Sequence, residues 1–335
     1  MQSSVFAQRK PAKSAYIMSR TGENVTYGQL EERSNQAAHA LRRLGLRIGD
    51  AIALCLDTGP RYHEIAWGAH RAGLIYVPIS VKALADDVAY IVGDCNAKAV
   101  MVSQSLRALG DKLRVRAPKV EHWLSVGGPR KGYTQYEWLR DRQPVHRISD
   151  EASGLDVRYA SSITGRSNGS AARIDRSEID AEHLRELRDL YAIDENTVYF
   201  SPAPIYCGAS LRFTMGLMRV GGTSVLTERF DPEQALALIA RYRVTHAQFA
   251  PTMFARMLDL PESVRRRYDF SSLRVVIHAA PCPLELKQRM LEWWGPILYE
   301  SCGASEGLGS TSLDGVDHYP QETDDLFLSH PAGSL

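Results

Sequence analysis

The residues best suited to chemistry lie in one stretch, Tyr159-Ala160-Ser161-Ser162-Ile163-Thr164-Gly165-Arg166-Ser167-Asn168-Gly169. It combines hydroxyls, a guanidinium and two glycines. Glycine lets a backbone turn sharply and come close to a ligand, so N–H groups and hydroxyls can meet phosphate oxygens. The same composition also describes a solvated turn, because Ser, Asn and Gly are turn residues in their own right. The apolar approach from Val157 to Ala160 reads as a strand, which would put the loop at a strand end. A second glycine-rich segment, Gly127 to Gly132, reads as an anion loop or, preferably, an exposed turn. Arg265-Arg266-Arg267 reads as a solvated helix end. His246 on its own reads as a hydrogen-bonded structural histidine, and Cys207 as a small apolar filler rather than a nucleophile.

These residues need elements to position them, and the chain supplies a regular alternation. Residues 1–22 read as a polar start. Thr26 and Gln29 have capping-box spacing. Leu30, Ala37, Ala38, Leu41 and Leu44 then share one helical face, and Gly45 suits the stop. Ala51 to Leu56 is a short apolar run fit for a buried strand. A helix from Pro60 to Arg71, a strand from Leu74 to Pro78, a helix over 83–92 and a strand over 97–102 continue the rhythm. Residues 140–154 are polar and read as a connector. Val198 to Phe200 is the next strand; Asp231-Pro232 opens a helix by N-cap and N1 preference. Thr245 to Phe254 and Val275 to Pro283 each read as a strand running into a turn or helix. Such alternation predicts an α/β fold of parallel sheets with helices on both faces.

The 335 residues can bury a large core. With 44% hydrophobic and 24% charged residues, the composition is that of an ordinary globular protein. A net charge of +1 argues against nucleic acid as a partner. Cys55, Cys95, Cys207, Cys282 and Cys302 are scattered, with no zinc spacing, which fits reduced thiols and a cytoplasmic setting. No apolar leader and no transmembrane segment is apparent.

The wording of several stretches resembles the AMP-forming adenylate enzymes, and among them the acyl-CoA synthetases (fatty-acid-CoA ligases). That family's phosphate loop reads Tyr-Thr-Ser-Gly-Thr-Thr-Gly-Arg-Pro-Lys-Gly. This chain keeps Tyr159, Ser161, Thr164, Gly165, Arg166 and Gly169. It departs at Ser162, Ile163, Ser167 and Asn168, the last replacing the family's lysine. Cys302-Gly303-Ala304-Ser305-Glu306 resembles the family's Tyr-Gly-x-Thr-Glu, with Cys302 in place of the aromatic. Val275 to Pro283 resembles the adenine-holding strand and turn, although one alanine short.

The resemblance covers about Thr26 to Pro331. It implies two stacked, mostly parallel sheets flanked by helices, as two interleaved α/β subdomains of one AMP-binding domain over residues 1–335. By the same resemblance Ser161, Thr164, Gly165, Arg166 and Gly169 would hold phosphates. Ala279, Ala280, Pro281, Cys302, Gly303, Ala304 and Ser305 would surround the nucleotide. Glu306 would ligate Mg2+. Tyr206, Cys207, Gly208, Phe249 and Ala250 would border the acyl pocket. ATP, Mg2+ and coenzyme A are the implied cofactors, and a carboxylic or fatty acid the substrate. The sequence ends where the family continues into the rest of a β-barrel and a lid domain with its catalytic lysine. The expectation is therefore a truncated synthetase, impaired or inactive, with no intact catalytic residue. The alternatives are a non-catalytic acyl- or nucleotide-binding protein and one half of a split synthetase. A separate lid polypeptide or a homo-oligomer is the expected partner.

Overall fold

The computed structural model describes residues 2–161, 167–170, 176–278, 280–303 and 310–314. In chain order, α1 (Gln2–Arg9) is followed by β1 (Ser14–Met18), β2 (Asn24–Thr26), α2 (Tyr27–Arg43), β3 (Ala51–Cys55), α3 (Tyr62–Arg71) and β4 (Ile75–Pro78). Next come α4 (Ala85–Asp94), β5 (Ala97–Ser103), α5 (Arg107–Arg116), β6 (His122–Val126), β7 (Thr134–Gln135), α6 (Tyr136–Arg140) and β8 (Leu155–Asp156). A hairpin of β9 (Arg158–Ser161) and β10 (Ser167–Ser170) precedes α7 (Arg176–Asp189). The chain then runs through β11 (Val198–Ser201), α8 (Gly208–Val220), β12 (Thr223–Leu226), α9 (Pro232–Tyr242), β13 (His246–Phe249), α10 (Pro251–Leu258) and α11 (Glu262–Arg265). It closes with β14 (Val275–His278), α12 (Leu284–Trp294), β15 (Leu298–Gly303) and β16 (Ser310–Asp314).

Two sheets carry the architecture. The larger has the order β16-β15-β14-β13-β11-β12-β1-β2, parallel except at its two edges. The smaller, β7-β6-β5-β3-β4-β8, is parallel throughout. Among the described residues neither sheet closes into a barrel.

Alternation of side chains assigns the layers, because successive strand residues point to opposite faces. Ile52 and Leu54 join a core that also holds α2, α3 and the α8 residues Leu211, Met215 and Met218. Ala53 and Cys55 face the α4–α5 side instead. In the larger sheet, Val275 and Ile277 pack with Leu184, Leu187 and Leu217, whereas Val276 packs with α9, α10 and α12. Helices α2, α3, α6 and α8 thus lie between the sheets, with α1 and α7 packed beside them; α4 and α5 cover the outer face of the smaller sheet, and α9, α10 and α12 that of the larger. Gly68 permits the α2–α3 crossing: a Cβ there would stand 2.4 Å from the Ala37 Cβ.

Most sequence-derived elements are present. The Thr26 capping box forms with both of its hydrogen bonds, and Gly45 takes a positive φ of 85°. Asp231 caps α9 by accepting from the Gln234 N–H at 2.8 Å. Each of the three arginines at 265–267 has a partner: Arg265 lies over Trp293, Arg266 pairs with Glu262, and Arg267 with Glu233.

Three expectations change. The polar start at residues 1–22 contains α1 and a buried strand, β1, which pairs in parallel with β12 through Tyr16↔Ser224. Its pairing partner is far along the chain, so no local pattern marks it. The connector at 140–154 is not free: Asn35 and Gln36 of α2 donate to the carbonyls of Val145 (2.8 Å) and Gln143 (3.0 Å). The loop expected over 159–169 is largely a hairpin, with Asn168 opposite Ala160 and Gly169 opposite Tyr159.

The hairpin is tethered to the smaller-sheet half. The Tyr159 hydroxyl donates to Asp94, the last residue of α4, at 2.6 Å. Burial and the Asp94 carboxylate both raise the tyrosine pKa, so it stays a donor. Removing a half-exposed hydrogen bond to a carboxylate costs about 1 kcal/mol. Tyr159→Phe is therefore expected to speed amide exchange in β9 and β10 roughly fivefold while leaving the larger sheet unchanged. Unchanged exchange in the hairpin would show that the tether carries no weight.

Between the layers, His63 is fully buried, bonds Thr214 of α8 through Nε2 at 2.9 Å and lies 5.1 Å from the Tyr16 ring. Burial pushes its pKa down to about 3 from 6.5. The unfolded chain therefore takes up this proton first, and folded stability falls as pH drops below 6.5. Between pH 7 and pH 5 this one group is expected to cost about 2 kcal/mol. His63→Gln should retain a bond to Thr214 and lose that share of the acid sensitivity, read by urea unfolding at both pH values. Equal acid sensitivity in variant and parent would count against a neutral buried imidazole.

Candidate active site

In open parallel sheets, ligands bind beyond the carboxyl ends of the strands, where the chain's crossovers diverge. In the larger sheet this point lies between β11 and β13. From β11 the chain crosses to β12 on one side; from β13 it proceeds to β14 and β15 on the other. The strand ends gathered there are Ser201, Phe249, His278 and Gly303. These are the segments that the sequence motifs single out, brought together from positions about a hundred residues apart.

Each end is shaped by local sequence. After Ser201 the two prolines at 202 and 204 hold an extended turn, and Cys207 occupies the N-cap of α8 with Gly208 as its first residue. The Ile205 N–H donates to Thr58 Oγ1 at 3.1 Å, which ties this turn to the smaller sheet. Tyr206 is half-buried against the inter-sheet core. Cys207 reaches solvent, but protein packed around its sulfur raises the thiol pKa, which disfavours a nucleophilic thiolate. Ala250 is the N-cap of α10, and Pro251 its first residue. Phe249 does not face this edge openly: its ring packs into the outer layer, 6.0 Å from Phe200, 5.8 Å from Phe254 and 5.9 Å from Trp294.

His278 and Glu300 stand in register on β14 and β15. His278 is buried, its Nδ1 lies 3.1 Å from the Ala280 carbonyl, and its Nε2 has no partner among the described residues. Desolvation lowers its pKa, so the ring is neutral. Glu300 pairs with Lys287 of α12 at 3.4 Å. Neither His278 nor the Glu300–Lys287 pair was singled out as a site by sequence reasoning; a histidine ending a β-branched run was the available signal.

Ala280 and Pro281 follow β14 directly, and Cys302 and Gly303 end β15. Ser161 ends β9, and Asn168 and Gly169 lie in β10. Thr164, Gly165, Arg166, Ala279, Ala304, Ser305 and Glu306 lie outside the described residues. The Mg2+ ligation expected of Glu306 falls there too.

Two other sequence candidates are structural. His246 sits at the opposite, amino end of β13, bonded to Tyr191 O at 2.7 Å and Thr245 Oγ1 at 2.8 Å. The Gly127 N–H donates to the Glu137 carboxylate at 2.8 Å, so the 127–132 turn is already held by an anionic side chain. Among the described residues no group of His, Cys, Asp or Glu could hold a metal, and no helix is long and apolar enough to cross a membrane.

Comparison with known proteins agrees with this fold. The family model of the AMP-binding enzymes matches residues 4–328. A feruloyl-CoA synthase of an Amycolatopsis species is 27% identical over 283 residues, which is 81% of this chain and 52% of that protein. The 4-hydroxybutyrate–CoA ligase 2 of Metallosphaera sedula is 25% identical over 320 residues, 92% of this chain and 57% of that one. The chain thus spans about half the length of the curated relatives it matches. The N-terminal domain of FACL13 from Mycobacterium tuberculosis has the same fold, with a TM-score of 0.81 at 21% identity, covering 94% of this chain and 78% of that one. The two mostly parallel sheets and the family match over nearly the whole length lead to one conclusion: the chain belongs to the AMP-binding enzyme family.

Proposed function

We propose that the chain is the AMP-binding domain of an acyl-CoA ligase, made of two interleaved α/β subdomains. Its reaction would begin with attack of a carboxylate oxygen on the α-phosphorus of ATP. The bond to pyrophosphate breaks and an acyl-adenylate forms. In a second step the coenzyme A thiol displaces AMP from the acyl carbonyl. The observation that carries this reading is the convergence of Ser201, Ala250, Ala280 and Gly303 on one sheet edge at the crossover point.

The small residues at that edge suit a flat base, because Ala280 and Gly303 leave the backbone open to close approach. Ala279, Pro281, Cys302, Ala304 and Ser305 would complete the nucleotide's surroundings. Ser161, Thr164, Gly165, Arg166 and Gly169 would meet its phosphates. The turn at Tyr206, Cys207, Gly208 and Ala250 would border the acyl chain; Phe249 would support that wall from the outer layer rather than line it. Mg2+ would arrive on the ATP phosphates with Glu306 as its protein ligand, which suits a cation that keeps most of its ligands from water and phosphate.

Adenylation by this chain is expected to be weak, because Asn168 replaces a cation at the phosphate hairpin. A charge-assisted contact to phosphate is among the stronger single hydrogen bonds, worth about 1.5–3 kcal/mol. Asn168→Lys should therefore raise ATP affinity about tenfold or more. Calorimetric titration with MgATP reads the affinity, and carboxylate-dependent ATP–pyrophosphate exchange reads the chemistry. Family-like exchange by the unmodified chain would refute the impairment. No gain in ATP affinity on restoring the lysine would mean that the hairpin does not face the phosphates.

A further inference from the structure

The turn that follows β14 has an uncommon problem of closure. A turn is ordinarily closed by a carbonyl that accepts from the N–H three residues on. Three residues after His278 stands Pro281, and three after Ala280 stands Pro283; neither has an N–H. Among the described residues, neither Ala280 nor Cys282 makes a backbone hydrogen bond. The Pro283 carbonyl accepts from the Lys287 N–H at 3.0 Å, so it belongs to the first turn of α12 rather than to this one.

A side chain makes the missing bond. The His278 ring is fully buried, with Nδ1 3.1 Å from the Ala280 carbonyl. A carbonyl only accepts, so Nδ1 carries the proton and donates it. In the neutral ring Nε2 is then a bare acceptor, and it is buried without a partner among the described residues. An acceptor left so costs stability. A phenyl ring would fill the same space without that cost, so packing alone does not account for an imidazole here. The Nδ1–H bond to the turn does.

The ring itself faces the outer layer. Val276, two residues earlier and therefore on the same face of β14, packs with α9, α10 and α12. The His278 ring stands edge-on to Phe254 of α10, with centroids 6.0 Å apart. Its charged neighbours are Lys287 of α12 and Glu300 of β15, which pair with each other at 3.4 Å. Any influence of His278 on the sheet edge therefore passes through the Ala280 carbonyl and the backbone of the turn.

We infer that His278 is a positioning residue for the nucleotide base. The outer layer fixes the ring, and its Nδ1–H clamps the Ala280–Pro283 turn in the shape that receives the base. This rests on the nucleotide role proposed above for Ala280 and Pro281. It adds a residue that no motif marks and that acts without touching the ligand.

The test uses two variants of the full chain. His278→Asn places an amide nitrogen where Nδ1 stands and keeps the donor; His278→Phe keeps the ring and removes it. Calorimetric titration compares MgATP with magnesium tripolyphosphate, which has the phosphates but no base. His278→Phe is expected to weaken MgATP roughly five- to tenfold and to leave tripolyphosphate unchanged. His278→Asn should stay within about twofold of the parent. Circular dichroism confirms that each variant is folded. Independently of any ligand, 15N NMR of the imidazole at neutral pH should show Nδ1 protonated and Nε2 bare. The opposite tautomer, unchanged MgATP affinity in His278→Phe, equal weakening of both ligands, or an Asn variant as weak as the Phe variant would each overturn the inference. Absence of MgATP binding by the unmodified chain would instead remove the nucleotide reading, and this role with it.

Discussion

The structure depends on burying α3 between two sheets. Every residue of this helix, Tyr62 to Arg71, is buried, and His63, Glu64, His70 and Arg71 among them are groups that burial penalises unless they are paired. Glu64 is met by Arg61 and Arg140, and Arg71 by Glu31 and Glu151. His63 reaches Thr214, and His70 lies 3.2 Å from Arg219. A buried ion pair adds little net stability, but losing one partner typically costs about 3–5 kcal/mol. The network thus acts chiefly by exclusion: only one placement of α2, α6, α8 and the 145–151 segment satisfies all of these groups.

That constraint also places the carboxyl edges of both sheets. The segment from Leu56 to Arg61 joins the end of β3 to the start of α3, so it is held at both ends. On one side Thr58 anchors the turn between β11 and α8; on the other, Asp57 clasps Ser103 and Ser105 at the end of β5. The Tyr16 hydroxyl donates to the Pro60 carbonyl at 2.6 Å, adding a strand of the larger sheet to the same junction. A six-residue link therefore stands between the carboxyl edges of both sheets, and rigidity at one is felt at the other through covalent structure and packing.

The β9–β10 hairpin is held differently. Its strands pair with each other rather than with either sheet. The Tyr159–Asp94 bond is a side-chain tether to α4. A two-stranded element is marginal by itself, so this part of the fold borrows its order from one neighbour. That arrangement suits the ligand-meeting role proposed for it.

The sequence by itself determined the α/β rhythm and the chemical lineage. Thr26 with Gln29, Asp231 with Pro232, and Gly45 act within a few residues of themselves, so their structural meaning is local and legible. The spelling of residues 159–169 and 302–306 pointed to the family for a similar reason: a loop that cradles phosphate needs particular residues in immediate succession. What the tertiary structure alone decided is everything that rests on distant pairing. Ser14–Met18 becomes a strand only because β12 lies beside it, and Phe249 turns into the outer layer because Phe200, Phe254 and Trp294 converge there. Glu64 and Arg140 become a buried pair, and Asp57 meets Ser103 and Ser105, because crossovers carry β3, β5 and α6 to a common edge. Short-range rules cannot see these contacts, since parallel strands are joined through helices and side chains that meet are encoded far apart.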